Sequence, residues 1–363
     1  MRLTSNDSAC KKKVALVNWY KPDEVADGIQ DELIALGYQP TGFLWNETFP
    51  TDADVVFSFA PWGRFLQIPR QIETAHAKQR PILVHWNTED PPDPRIPWSI
   101  MTKIGEFRSW VDRLNDYEKG RALLTRFPFS YINRKMHKFR YVGDYYYAWR
   151  RRWIDSLFES SEIYAARYRE HGMPAEYVPW GTSPHWYANL GIERDIDVLW
   201  FGKRRTKRRR ELIDRVQGEL SALGFQMCII DPAEQPVVSG CVRNQLLNRA
   251  KITLNLLPTW YDNNFSFRFH FAAGNRSLVV SEDFLPHYTV YEADKHYVST
   301  PAARLTETLV YYLEHANERA EIVENAYQLV TEKLTLRNSI QTIMSKVERL
   351  NAALCKPRLE MTR

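Results

Sequence analysis

Two short apolar runs, Lys251-Ile-Thr-Leu-Asn-Leu-Leu257 and Ser277-Leu-Val-Val-Ser-Glu282, constrain this chain more than any other feature. Each has the length and composition of a strand buried on both faces, the kind found in parallel sheets. Pro258 stops the first run, and Thr259 to Ser266 read as a polar, aromatic loop. Phe267 to Ala273 read as a short helix closed by Gly274 and Asn275. In an open parallel sheet, ligands sit in the loop leaving a strand's carboxyl end. The following helix points unpaired N–H groups and a partial positive charge at that place. Arg268, in its first turn, adds a cationic fork suited to a phosphate.

The rest of the chain repeats this rhythm. Strands are expected at Val14 to Trp19, Gly42 to Trp45, Asp54 to Ala60 and Pro81 to Trp86, with helices at Glu24 to Leu36 and around Gln67 to Ala77. Strands alternating with helices predict a doubly wound parallel sheet. Between about residues 91 and 153 the rhythm breaks into a proline-led, basic and aromatic stretch, expected as a helical insertion whose surface either packs on the sheet or binds an acceptor or partner. Ser161 to Ala166 then read as a strand, Arg167 to His171 as a short helix, and Glu176 to Gly181 as a last strand. A second set follows. It has strands at Asp195 to Gly202, Gln226 to Asp231 and His296 to Ser299, with helices at Lys207 to Leu223, Cys241 to Ala250, Ala302 to His315 and Ala316 to Leu334. A final helix at Ser339 to Leu354 closes it. The domain expectation is 1–181, a linker 182–194, a second domain 195–338, and a terminal helix 339–363 able to cross back to the first.

Composition removes several classes. A net charge of +5 over 363 residues is too small for a globally polycationic protein, which argues against nucleic acid as the partner. The four cysteines form no CxxC pair, so neither a zinc site nor a disulfide framework is expected, and a reducing, cytoplasmic location suits them. The first residues lack the apolar core of a signal peptide, and no run reaches the ~20 apolar residues of a membrane span. Peripheral membrane contact stays open.

Three further stretches carry chemistry. Gly202-Lys-Arg-Arg-Thr-Lys-Arg-Arg-Arg210 leaves a strand, so Gly202, Lys203 and Arg205 are candidates to meet a diphosphate beside the loop after Leu257, while Arg208 to Arg210 read as a solvated helix face. Tyr261, Asn263, Asn264 and Ser266 can hydrogen-bond phosphate oxygens; Ser281 and Glu282 end a strand on the same sheet edge, where Glu282 either accepts from ribose or sugar hydroxyls or caps the next segment. In the first domain, His85-Trp-Asn-Thr-Glu-Asp90 leaves a strand with an imidazole and two carboxylates; Glu89 or Asp90 is favoured over His85 as the base for an acceptor hydroxyl. No GxGxxG follows the first strand and no GxxxxGK[ST] occurs, which disfavours a nicotinamide enzyme and excludes a P-loop NTPase.

Phe158 to Gly172 with Tyr177 to Thr182 is similar to the end of the acceptor domain in GT-B glycosyltransferases, and Asp197-Val-Leu-Trp-Phe-Gly202 resembles the opening of their donor domain. Leu246 to Asn255, Arg268, Gly274 to Glu282 and Thr306 to Leu350 resemble the spore-maturation (CgeB-like) branch of the group 1 enzymes. The resemblance implies two Rossmann-like domains facing a cleft, with a nucleotide-diphosphate sugar held by the second. It assigns Arg268, and the loop residues Gly202, Lys203 and Arg205, to the diphosphate. The chain departs from the group where two glutamates are usual: Tyr261 and Phe269 occupy those places, which leaves the stereochemistry open.

The resulting expectation is a metal-independent hexosyltransferase of carbohydrate biosynthesis. It uses no cofactor beyond a nucleotide-diphosphate sugar as co-substrate, and delivers the sugar to a hydroxyl or amine of a carbohydrate or small-molecule acceptor. The catalytic candidates are Glu89, Asp90 and Arg268. A nucleotide-sugar epimerase and a non-catalytic sugar-binding protein are the alternatives, and oligomeric state is undetermined.

Overall fold

The computed structural model describes residues 12–59, 65–75, 80–89, 92–114, 136, 138–204, 206–258, 267–283 and 289–355. The chain divides into two compact units, Met1–Val178 with Ile340–Arg363, and Pro179–Ser339.

The first unit is built on a six-stranded sheet in the order β2-β1-β3-β4-β5-β6. Its strands are β1 (Lys13–Asn18), β2 (Gln39–Leu44), β3 (Val55–Phe59), β4 (Ile82–Asn87), β5 (Ser156–Glu159) and β6 (Ala175–Tyr177). Every neighbouring pair is parallel. β3 and β4 are buried at every position, which is why they read as continuous apolar runs. Helix α1 (Glu24–Ala35) starts at Asp23, whose carboxylate accepts from the N–H groups of Val25 and Ala26, and buries Ala26, Ile29 and Leu33. Helix α2 (Gln67–Ala75) covers Ile68 and Ile72 against the same core as Val17 and Leu83.

One expected element is wrong here. Ser161 to Ala166 is not a strand: β5 lies just before it, and Ser161 caps helix α5 (Glu162–Glu170), numbered after the two helices below, by accepting from Tyr164 N–H. The cap-plus-acid pair Ser161-Glu162 outweighs the β-favouring Ile163 and Tyr164, because Tyr164 and Tyr168 bury a helical stripe instead.

Between β4 and β5 the described residues form helices α3 (Trp98–Leu114) and α4 (Phe139–Arg150). They cross backbone to backbone, since a Cβ on Gly143 would lie 2.1 Å from the carbonyl carbon of Gly105. Tyr141, Val142, Tyr145 and Ala148 of α4 join Leu157 and Tyr164 in one core, so these aromatic residues act as a packing layer. Phe127, Phe129 and Tyr131 of the same aromatic stretch lie outside the described residues.

The second unit has a five-stranded sheet in the order β11-β10-β9-β7-β8. The strands are β7 (Ile196–Phe201), β8 (Met227–Ile230), β9 (Ala250–Asn255), β10 (Leu278–Glu282) and β11 (Val298–Thr300), all pairs parallel. The helices are α6 (Lys207–Ala222), α7 (Gly240–Arg249), α8 (Phe267–Gly274), α9 (Leu305–Glu314) and α10 (Ala316–Gln328). Successive side chains in the middle of β7 face opposite cores: Val198 and Trp200 pack with Ile213 and Leu220 of α6, while Leu199 packs with Phe269 of α8 and Leu247 of α7; Ile196, the first residue of the strand, also joins the second of these cores. Both sheet faces are therefore covered, the Rossmann-like arrangement.

The stretch 182–194 is bound along this second unit. Arg194 donates to Leu247 O and Ala250 O at the end of α7, and to Asn275 O. Asn248 and Asn275 accept from the backbone of Leu190 and Ala188. Helix α11 (Leu336–Cys355) starts in the second unit and from Ile340 belongs to the first, where Glu348 meets Lys12 and Tyr38, and Lys346 pairs with Glu176.

Candidate functional site

In the second unit the strand order reverses between β7 and β9, which are neighbours in the sheet but not in sequence. Such a switch point leaves a crevice outside the strand ends, because the two following loops turn away from each other. Arg268, the second residue of α8, spans it. Its Nε donates to Phe201 O at the end of β7 (3.0 Å) and its Nη1 to Asn255 Oδ1 at the end of β9 (2.7 Å). The guanidinium carbon lies 4.2 Å from the centre of the Trp200 ring. Gly202 has φ +133°, a conformation that favours glycine, and a Cβ there would stand 2.6 Å from Arg268 Nη2 and push the guanidinium from its place.

The supporting groups are fixed in turn. Asn255 Nδ2 donates to Ser281 Oγ (3.0 Å), which turns its Oδ1 toward Arg268. Ser281 is fully buried and its hydroxyl is within reach of Glu282 O and Asn255 O.

The electrostatics are unusual. Among the described residues, no carboxylate lies within 4.0 Å of Arg268; its two hydrogen-bond acceptors are neutral. Burial, and then the charge of Arg209, pull the Arg268 pKa from 12.5 down to about 9. Arg209 itself donates to Lys203 O (3.0 Å) and Leu256 O (2.9 Å) and lies 5.4 Å from the same Trp200 ring. Two guanidinium groups are thus drawn to one indole at the strand ends. An anion placed beside them relieves both their repulsion and the burial cost.

The run Arg208 to Arg210 is therefore not a solvated face, which corrects the sequence expectation. Arg209 is buried, and Arg208 forms a forked ion pair with Glu282 while reaching Leu257 O (3.2 Å). Only Arg210 of the three is exposed. A signal for this was present: Arg209, Ile213, Val216 and Leu220 fall on one helical stripe, and all four are buried. Glu282 is 2 % exposed and its oxygens are engaged by Arg208 and by Leu257 N–H (2.7 Å), which pins the start of the loop after β9.

Lys203 takes a different position from the one expected. It is exposed and lines a cavity of about 550 Å³ with Arg204, Arg210, Asp231, Pro232, Ala233 and Glu234; Arg268 is not among the lining residues. In that cavity Arg204 is matched by Asp231 (3.1 Å) and also bonds Glu234. The cation that joins Arg268 is Arg209. Arg205, Tyr261, Asn263, Asn264, Ser266 and Asp90 lie outside the described residues. Among those described, no group of three or more His, Cys, Asp or Glu is placed to hold a metal ion, and no helix is long and apolar enough to cross a membrane.

In the first unit, His85 is fully buried between Ser58 Oγ (3.1 Å) and Tyr145 Oη (2.9 Å), and burial lowers its pKa to about 3. Glu89 stands just past the end of β4 and is partly exposed.

Comparison with solved structures bears on both units. Sucrose-phosphate synthase from Thermosynechococcus elongatus superposes over 94% of this chain and 100% of its own, with a TM-score of 0.56 at 10% identity. The Anabaena protein Alr3699/HepE in complex with UDP and glucose covers 93% of this chain and 100% of its own, with TM-score 0.56 and 11% identity. AviGT4, a glycosyltransferase involved in avilamycin A biosynthesis, covers 94% and 98%, with TM-score 0.53 and 12% identity. The fold is GT-B. Residues 231–345, less than half of the chain, also match the family model described as glycosyl transferase-like. That stretch holds Asn255, Arg268 and Glu282, so the second GT-B unit is the part with recognisable sequence kinship. No curated protein matches the chain by sequence.

Proposed function

We propose that this protein is a glycosyltransferase that moves a sugar from a nucleotide-diphosphate donor to a hydroxyl or amine of a carbohydrate or small-molecule acceptor. The observation that carries it is Arg268: a half-buried cation with no carboxylate within 4.0 Å among the described residues, held across the switch point of a parallel sheet at the start of a helix. The glycosyl transferase-like match around it, and the UDP and glucose bound by the fold neighbour Alr3699/HepE, support a nucleotide-sugar as the anion.

In this assignment the acceptor oxygen bonds to the anomeric carbon as the bond from that carbon to the diphosphate breaks. The electron pair leaves with the diphosphate, whose growing negative charge Arg268 and Arg209 stabilise. The acceptor proton passes to Glu89 or Asp90. Gly202 leaves the backbone open beside Arg268. Arg205 and the loop residues Tyr261, Asn263, Asn264 and Ser266 supply further donor contacts, with Ser281 and Glu282 shaping the strand end, while Lys203 enters this assignment only through its carbonyl oxygen, which accepts from Arg209. The resemblance of Leu246 to Asn255 and Gly274 to Glu282 supports a member of the spore-maturation branch of group 1, and in this reading the enzyme works in the cytoplasm without a metal ion.

The test is a thermal-shift panel of nucleoside diphosphates and their sugars, followed by turnover of whichever donor binds. Arg268→Ala should depress turnover by ~100-fold or more, the scale of one lost preorganised contact to developing charge. Absence of binding by every nucleoside diphosphate, or near-normal turnover by that variant, removes the assignment. Donor consumed with no acceptor present and returned as an isomer would instead identify an epimerase.

A further inference from the structure

At the carboxyl ends of β3, β4 and β5 five buried side chains are joined in a row. Ser58 Oγ lies 3.1 Å from His85 Nδ1, and His85 Nε2 lies 2.9 Å from Tyr145 Oη. Tyr145 Oη is 2.9 Å from Asn87 Oδ1, and Asn87 Nδ2 is 3.0 and 2.9 Å from the two oxygens of Glu159. Each of the five residues is fully buried.

The proton order follows from the chemistry of the ends. Asn87 turns its NH₂ to the oxygens of Glu159, which accept, and its carbonyl oxygen to the Tyr145 hydroxyl. The single tyrosine proton is spent on Asn87, so Tyr145 Oη must accept from His85 Nε2–H. His85 Nδ1 is then the acceptor for the Ser58 hydroxyl. One tautomer satisfies every link, and it leaves His85 neutral and fully occupied. This removes His85 from the acceptor chemistry and gives it a structural part.

The same Asn87 amide also closes on the turn beyond β4. Its Oδ1 accepts from Glu89 N–H (3.3 Å), and its Nδ2 reaches Glu89 O (3.4 Å). Asn87 thus holds both main-chain groups of Glu89 while the side chain of Glu89 remains partly exposed. That side chain is close enough to Tyr20 for its charge to act there: burial first, then Asp23 and Glu89, push the Tyr20 hydroxyl up to about 12.

Building on the proposed glycosyl transfer, we infer that Asn87 is a positioning residue for the acceptor side: it fixes the main chain at Glu89, and the row Glu159–Asn87–Tyr145–His85–Ser58 fixes Asn87. A base must meet the acceptor hydroxyl within hydrogen-bond reach, and a displacement of about 1 Å can cost on the order of 100-fold.

Hydrogen–deuterium exchange tests the positioning without needing a substrate. In Asn87→Ala and in Tyr145→Phe, which removes one oxygen only, exchange at residues 87–89 should rise about tenfold or more while 82–86 keep their protection. Unchanged exchange at 87–89, or a rise spread evenly over β4 and β5, overturns the assignment. The functional arm measures UDP release from UDP-glucose, UDP-galactose and UDP-N-acetylglucosamine. Turnover should fall ~10–100-fold in Asn87→Ala while the UDP thermal shift is kept. Asn87→Asp, able to share a proton with Glu159 and so imitate the amide, should recover turnover as the pH is lowered; a profile parallel to the wild type counts against the role. Full turnover in the Asn87 variants beside a dead Arg268→Ala overturns the positioning alone. An active Arg268→Ala, or no release of a nucleoside diphosphate from these three donors or from any other sugar donor of the binding panel, overturns the transfer reading on which it rests.

Discussion

Arg268→Met separates the two things a half-buried cation can be, a prop or a ligand. Methionine keeps much of the apolar contact with Trp200 and removes only the charge and its donors. In the free protein, holding the guanidinium charged at a pKa of about 9 instead of 12.5 costs on the order of a few kcal/mol at about 1.4 kcal/mol per pKa unit. Met removes that cost. It also leaves Phe201 O and Asn255 Oδ1 without their donor, at roughly 1–3 kcal/mol each. The terms oppose each other, so stability should change by no more than about 3 kcal/mol. Nucleotide binding has no such cancellation. At one hundred times its dissociation constant UDP should stabilise the wild type by about 2.7 kcal/mol. That corresponds to roughly 8 °C if the unit Pro179–Ser339 melts alone, or ~4 °C if the whole chain melts together. Differential scanning fluorimetry with and without UDP should show this shift in the wild type and none in Arg268→Met. The reasoning is refuted by a variant that keeps the UDP shift, or by one that melts more than ~10 °C early without ligand, since the arginine would then be a structural prop.

Gly202→Ala puts a methyl 2.6 Å from Arg268 Nη2 at φ +133°, so it should destabilise by about 1–3 kcal/mol and weaken the UDP shift, both read in the same fluorimetry. Glu282→Ala unpairs Arg208 and Leu257 N–H; with Arg208 partly solvated the loss should be about 1–3 kcal/mol by urea unfolding, and a loss within error would show that the loop start is held otherwise. His85 and His270 are buried and neutral, with pKa values near 3 against 6.5 when exposed. Below about pH 6.5 the unfolded chain therefore binds more protons than the folded one. Stability is complete above that pH and falls by about 1.4 kcal/mol per pH unit for each histidine as the pH drops toward 3, and a melting temperature constant from pH 7 to 5 would contradict it.

Much of the architecture was readable because parallel strands covered on both faces must be apolar without alternation. Val55 to Phe59, Ile82 to Asn87 and Leu278 to Glu282 are buried throughout and show it directly. The same rule loses power where a strand is only four residues long, as at Ser156–Glu159, and there the cap at Ser161 decided the structure. Arg268 was legible as a cation at the sheet's carboxyl edge because its place, just after a strand–loop turn, depends on chain order. The burial of Arg209 beside it was not legible, since three successive arginines look like surface until the helical phase is fixed by Ile213, Val216 and Leu220.

By itself, then, the sequence determined the alternation of strands and helices, the division into two αβ sets, and the presence of a cation at a strand end, because each depends on periodicity and local order. Only the tertiary structure decided which strands became neighbours, that Phe201 and Asn255 would share one arginine, and that Asn87 would hold Glu89. Those pairings depend on sheet order and on the angle at which distant side chains meet, and neither is a property of any short stretch of chain.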